Sequence, residues 1–184
     1  MKKNSVVLYY LDVTVPFYYF YIVPVAIALI IISFDFSLYG LFPSISASSI
    51  SSQHKFLNEF FALCNFFVMG LIFINYLRYP LSTAHVKQIR QHYAKLNKNQ
   101  QSFNGWLGII FLCFILGFIN LSWFLIDDKP LPSNEEWRRG DFVTYLCNFA
   151  DPYISTFAIS LKYVLIVILA LMLVNALNTR KYSQ

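Results

Sequence analysis

The chain has 184 residues, 58% of them hydrophobic, 19% aromatic and only 12% charged, with a formal net charge of +5. Soluble domains carry about a quarter of their residues as charges, so this composition excludes an ordinary soluble domain. The basic excess then belongs with membrane topology rather than with nucleic acid.

Four apolar runs, at 15–34, 56–77, 106–126 and 153–177, account for most of the chain. They predict an all-α polytopic membrane protein, a single membrane domain over 1–184 in which four transmembrane helices form a helical bundle. An outer loop at 35–55, a cytoplasmic loop at 78–105 and an outer loop at 127–152 would join them. The run 56–77 fixes the orientation. Its 22 residues, at a rise of about 1.5 Å each, reach roughly 33 Å against a bilayer core of about 30 Å. A nearly uncharged Ser-rich segment precedes it and a basic segment follows, and basic loops stay inside.

With both termini inside, the cytoplasmic face holds Lys2, Lys3, Arg78, Lys87, Arg90, Lys95, Lys98, Arg180 and Lys181 against Asp12 alone. The outer face holds Lys55, Lys129, Arg138 and Arg139 against Asp35, Asp127, Asp128, Glu135, Glu136, Asp141 and Asp151. Inverting the chain would put the basic excess on the wrong side. The expected arrangement is therefore multi-pass, with both ends cytoplasmic.

The chain opens with a basic stretch, but the run at 15–34 exceeds a signal-peptide core and no small-x-small cleavage pattern follows, so it is expected to remain as an anchor. Pro16 suits a first turn, whereas Pro24 removes a backbone bond and should kink the helix. Tyr18, Tyr19 and Tyr21 read as an interfacial aromatic belt. The Ser-rich first outer loop reads as a surface connection, ending in a solvated interfacial His54. In the cytoplasmic loop, Val86, Ile89, Tyr93 and Leu96 recur at helical steps with Lys87, Arg90 and Lys95 elsewhere, an amphipathic helix for the inner leaflet. His85 and His92 share a face but lack the further ligands a metal needs.

In the third run, Cys113, Gly117 and Asn120 follow i, i+4, i+7 spacing, a narrow small-and-polar face suited to helix packing. The second outer loop is the most charged segment, with Asn134 placed to cap a short helix at Glu135 and Glu136. Charged groups inside the apolar runs mark function or a specific contact. Glu59 and Lys162 lie at similar heights, so they can pair if runs two and four are neighbours, with Asn65 and Asn120 completing a polar cluster. Such a cluster reads either as a recognition or proton-handling site or as a structural ion pair snorkelling outward. Its position near the outer boundary favours the structural reading over transport, which places such residues near mid-depth.

Cys64, Cys113 and Cys147 share no aqueous compartment, so no disulfide within the chain is expected; Cys147 reads as buried and unreactive, or as a free or intermolecular thiol. No Gly-x-Ser-x-Gly, His-Glu-x-x-His or phosphate-binding Gly-rich loop occurs. The expectation is therefore no enzyme, with no catalytic residue, cofactor or metal.

With this layout in place, the segment Phe42-Pro43-Ser44-Ile45-Ser46, followed by Ser48 and then Lys55, resembles the Leu-Pro-Ser-Ile-Thr segment in the first outer loop of immunity proteins against pore-forming colicins of the A and B kind. Those are four-span inner-membrane proteins with both ends cytoplasmic, plasmid-borne partners of a bacteriocin. The family's Thr-Ala-Gly turn is absent, and DDKPLPSNEEWRRGD stands in its place. The resemblance implies that the membrane is a bacterial inner (plasma) membrane, and it implies bacteriocin immunity by binding a pore-forming toxin within the bilayer and blocking its channel. It implies partner contacts at Pro43, Ser44, Ile45, Asn65, Gly117, Asn120, Glu135, Glu136, Arg138 and Arg139. The expected partners are membrane lipid and a protein in the bilayer, with oligomeric state left open. A conjugative entry-exclusion or secretion-assembly protein, or a small transporter or channel subunit, would share the layout.

Overall fold

The computed structural model describes residues 8–34, 50–94, 98–121, 123 and 139–183, with side chains outside 92–105, 139, 140 and 183. The described chain is helical: α1 (Tyr9–Asp12), α2 (Tyr19–Ser33), α3 (Ser52–Arg78), α4 (Thr83–Ala94), α5 (Lys98–Leu121), α6 (Arg139–Asn148) and α7 (Pro152–Ser183). By length and composition α3 and α7 can each cross a membrane, while the apolar parts of α2 and α5, Tyr19–Ser33 and Trp106–Leu121, are shorter.

Local chemistry sets the helix ends. Ser51, in an extended conformation, accepts the His54 backbone N–H and so caps α3 several residues before the apolar run. At the other end Tyr79 leaves the helix ahead of Pro80, which disfavours a helical residue before it. Asp12 accepts the Phe17 N–H at 3.0 Å and holds the tight turn through Pro16 that leads into α2. No Gly or Pro interrupts the tail after 177, and α7 continues to Ser183. The helix α5 likewise begins at Lys98, inside the segment expected to be a loop.

Side-chain bonds reveal the helix directions. His54 at the start of α3 meets Ser155 at the start of α7, and Tyr10 sits beside both Asn75 and Asn178 near their ends. These two helices therefore run parallel. Tyr21 and Ser33 of α2 meet Ser160 and Tyr153, while Trp106 in the first half of α5 meets Arg180 and Trp123 just past its end meets Lys162. Accordingly, α2 and α5 run antiparallel to α7, and direction alternates along the chain.

At the centre lies α7, touching α2, α3, α4, α5 and α6. Its Ile159, Tyr163, Ile166, Ala170 and Val174 are fully enclosed and recur at three- and four-residue steps, so one face forms the core. Phe61 and Ile72 of α3 and Ala28 of α2 pack into the same core. Between helices in an apolar environment this contact works through close packing and hydrogen bonds.

Pro24 illustrates the second mechanism. Lacking an N–H, it leaves the Phe20 carbonyl without its helical donor, and the Tyr163 hydroxyl donates to that oxygen at 2.6 Å. The residue that weakens α2 thereby creates a bond to α7. Tyr163→Phe should cost about 1–2 kcal/mol in SDS-titrated unfolding from mixed micelles. In a Pro24→Ala background, where Phe20 regains a donor, the same change should cost less than half as much. Equal costs in both backgrounds would disprove the coupling.

Candidate functional site

Three of the polar residues singled out in the apolar runs, Asn65, Asn120 and Lys162, converge where α3, α5 and α7 meet. Asn65 on α3 is fully buried, and its Nδ2 donates to Asn120 Oδ1 on α5 at 2.6 Å. Asn120 Nδ2 donates in turn to the Leu116 carbonyl one turn back, which fixes the side chain's orientation. The Trp123 backbone N–H donates to the Asn120 carbonyl, closing the end of α5 and folding the indole inward until it is 1% exposed.

Lys162 Nζ lies 3.8 Å from the centroid of that indole. An ammonium over a desolvated tryptophan face gains about 2 kcal/mol. This contact gives Lys162, expected from its height to face Glu59, an aromatic partner at the end of α5. The helices α3 and α7 are neighbours as required, and Glu59 is buried on α3 at 2% exposure. Tyr163 points towards Phe20 of α2 and Phe61 of α3; Lys162, one residue away and so about 100° around the helix, turns to α5. Two buried atoms here, Asn65 Oδ1 and Trp123 Nε1, have no hydrogen-bond partner among the described residues. An acceptor and a donor left open at such depth are what a water molecule or an incoming polar group would satisfy.

The face of α5 pointing away from this junction is open. Among the described side chains of the helix only Ile109 and Leu116 are buried, with Leu112, Ile115, Ile119 and Asn120 half-buried, while Ile110, Phe111, Phe114 and Phe118 are well exposed. The expected Cys113–Gly117–Asn120 face is therefore split. Asn120 turns in, whereas Cys113 is exposed and a Cβ built at Gly117 meets nothing within 4 Å. Bulky Ile and Leu fill the seam because they supply dispersion contacts that a glycine lacks. Gly117 thus serves no close approach among the described residues.

A second polar junction ties α3, α6 and α7 together at the start of α3. His54 is buried rather than solvated, which corrects the expectation of an interfacial histidine. Its Nε2 donates to the Ala150 carbonyl at 2.8 Å and stands 3.1 Å from Ser155 Oγ, while Ser51 Oγ meets Nδ1. A carbonyl only accepts, so the proton sits on Nε2 and Ser51 donates to Nδ1. One turn on, Asn58 Nδ2 donates to the His54 carbonyl and to Asn148 Oδ1. Cys147 beside it is half-buried; burial raises its thiol, with the Lys162 charge pulling the other way, so little reactive thiolate forms.

At the opposite end Asn75 Nδ2 donates to the Tyr10 carbonyl and to Thr14 Oγ1, and Asn178 Nδ2 donates to the Tyr10 hydroxyl. His85, one of the two histidines on the α4 face, packs edge-on to Tyr9 at 5.5 Å. Tyr18 and Tyr19 are exposed at the start of α2, as an interfacial belt requires, whereas Tyr21 reaches in to Ser160.

Of the expected contact positions, Asn65 and Asn120 come together and Gly117 lies on the open side of the same helix. Pro43, Ser44, Ile45, Glu135, Glu136 and Arg138 lie outside the described residues, as does the whole segment 42–46. Arg139 opens α6, and its side chain is also outside them. The His54 and Tyr10 junctions were not predicted; Asn58 and Asn75 within the apolar run 56–77, and Asn178 just past the run 153–177, were their only signal. No family model, no curated protein and no solved structure matches this chain.

Proposed function

We propose that the chain is a non-enzymatic, four-span inner-membrane protein with both termini cytoplasmic, acting by lateral helix contact with a partner in the bilayer. The specific form is immunity, in which the partner is a pore-forming bacteriocin held so that its channel stays shut. The observation that carries this reading is the open face of α5, where Gly117 sits beside exposed Phe114 and Phe118 with no neighbour among the described residues within 4 Å of its Cβ position. Small residues let membrane helices approach closely, and here the approach is left to something outside the chain. Alternating helix directions agree with four crossings, and the placement of Arg78, Lys87, Arg90, Arg180 and Lys181 at one end supports the orientation.

The test is to express the chain in a sensitive bacterium and challenge it with a panel of pore-forming colicins. Protection against at least one is expected; protection against none, with the protein shown to be inserted, would remove the immunity reading. For the orientation, cysteines introduced at Ser48 and Ser133 in a Cys-free background should label with a membrane-impermeant maleimide from outside. A cysteine at Ser82 should label only after permeabilisation. The reverse pattern would overturn the four-span topology.

A further inference from the structure

We propose that the cleft between α4 and the end of α7 is a binding site for the headgroup of an anionic phospholipid of the inner leaflet. The cleft has a volume of about 510 Å³, and Leu81, Val86, Lys87, Arg90 and Tyr182 are among its lining residues. Its two chemistries are separated. Leu81 is buried and Val86 half-buried, giving an apolar floor, while Lys87 and Arg90 are exposed at the rim.

Arg90 is already oriented. Its Nε donates to the Tyr182 carbonyl at 3.4 Å, which draws the guanidinium across the mouth of the cleft and leaves its terminal N–H groups for an oxygen anion. Lys87, one turn earlier on α4, supplies a second cation. Lys181, beside Tyr182, adds positive potential. A free phosphate would use the cations but not the apolar floor, and a zwitterionic lipid would bring its own cation to a positive rim. An anionic phospholipid fits both, with its phosphate on Arg90 and Lys87 and its glycerol and first methylenes on Leu81 and Val86. The inference rests on the inward orientation proposed above, not on the identity of any toxin, and it concerns the purified protein alone.

Native mass spectrometry of the full chain in neutral detergent, titrated with phosphatidylglycerol or phosphatidylcholine, provides the test. Phosphatidylglycerol should bind about ten-fold or more tighter. A Lys87→Gln/Arg90→Gln variant should lose that preference, a Lys55→Gln variant at the far end should keep it, and millimolar inorganic phosphate should not displace the lipid. Lys87→Glu alone, on an exposed side chain that leaves packing untouched, should also weaken phosphatidylglycerol binding if the double variant unfolds. Equal affinity for the two lipids, equal loss in the Lys55 variant, displacement by phosphate, or unchanged binding in Lys87→Glu would each overturn the site.

Discussion

Replacing His54 with Ala is expected to destabilise the folded protein by about 3 kcal/mol, the largest effect of any single polar substitution in the chain. The side chain is buried and bonded at both ring nitrogens. Its removal strips the Ala150 carbonyl of a 2.8 Å donor and leaves a cavity between α3 and α7. Ser155 Oγ, 3.5 Å from the same carbonyl, can replace only part of the lost bond. The cost is high because Ala150 lies in the short link between α6 and α7, so the bond sets where α6 sits. His54→Gln keeps an N–H donor at similar reach and should recover about 1 kcal/mol. SDS-titrated unfolding from mixed micelles reads both values. A His54→Ala change within ~0.5 kcal/mol of wild type would mean that this junction does not hold the helices together.

The position of His54 shows what a one-dimensional reading can and cannot supply. Apolar runs and Pro punctuation locate helices because length and backbone chemistry act locally. The cap at Ser51 is local too, but a Ser-rich stretch offers several candidate caps and nothing in it marks which serine is used. Partner identity is different. The Phe20 carbonyl freed by Pro24 was predictable, yet its donor is Tyr163, 143 residues away. Membrane helices are apolar on all sides, so the sequence pattern does not reveal which face turns inward. Helix heights put Glu59 and Lys162 at one level, but the contact of Lys162 with Trp123 depends on rotation about α7, which heights do not give. The run 56–77 sets the orientation through its flanking charges, whereas α7 organises the packing and touches every other described helix. Asn65 and Asn120 were legible as a pair because each is costly in an apolar run without a partner.

In cells that the wild-type chain protects, Gly117→Phe is expected to lower the protective titre about a hundred-fold without loss of inserted protein. The two halves of that statement have separate causes. Among the described residues nothing lies within 4 Å of a Cβ at Gly117, so the new side chain displaces none of them. Removing a helix-interior glycine adds up to about 1 kcal/mol of helix propensity. Against a partner helix the same ring fills the space that close approach requires, and losing about 2–3 kcal/mol of contact corresponds to roughly a hundred-fold in affinity. Gly117→Ala should give a smaller loss, since one methyl separates the helices less. Gly108 provides the control. It is equally open but lies nine positions nearer the α5 start, which the proposed topology puts in the inner half of the bilayer. A toxin inserting from outside meets Gly117 first, so Gly108→Phe should leave protection within a few-fold of wild type. Full protection by an inserted Gly117→Phe variant would remove α5 as the contact face. Equal losses at both glycines would point to the whole length of α5, with a partner that spans the bilayer beside it.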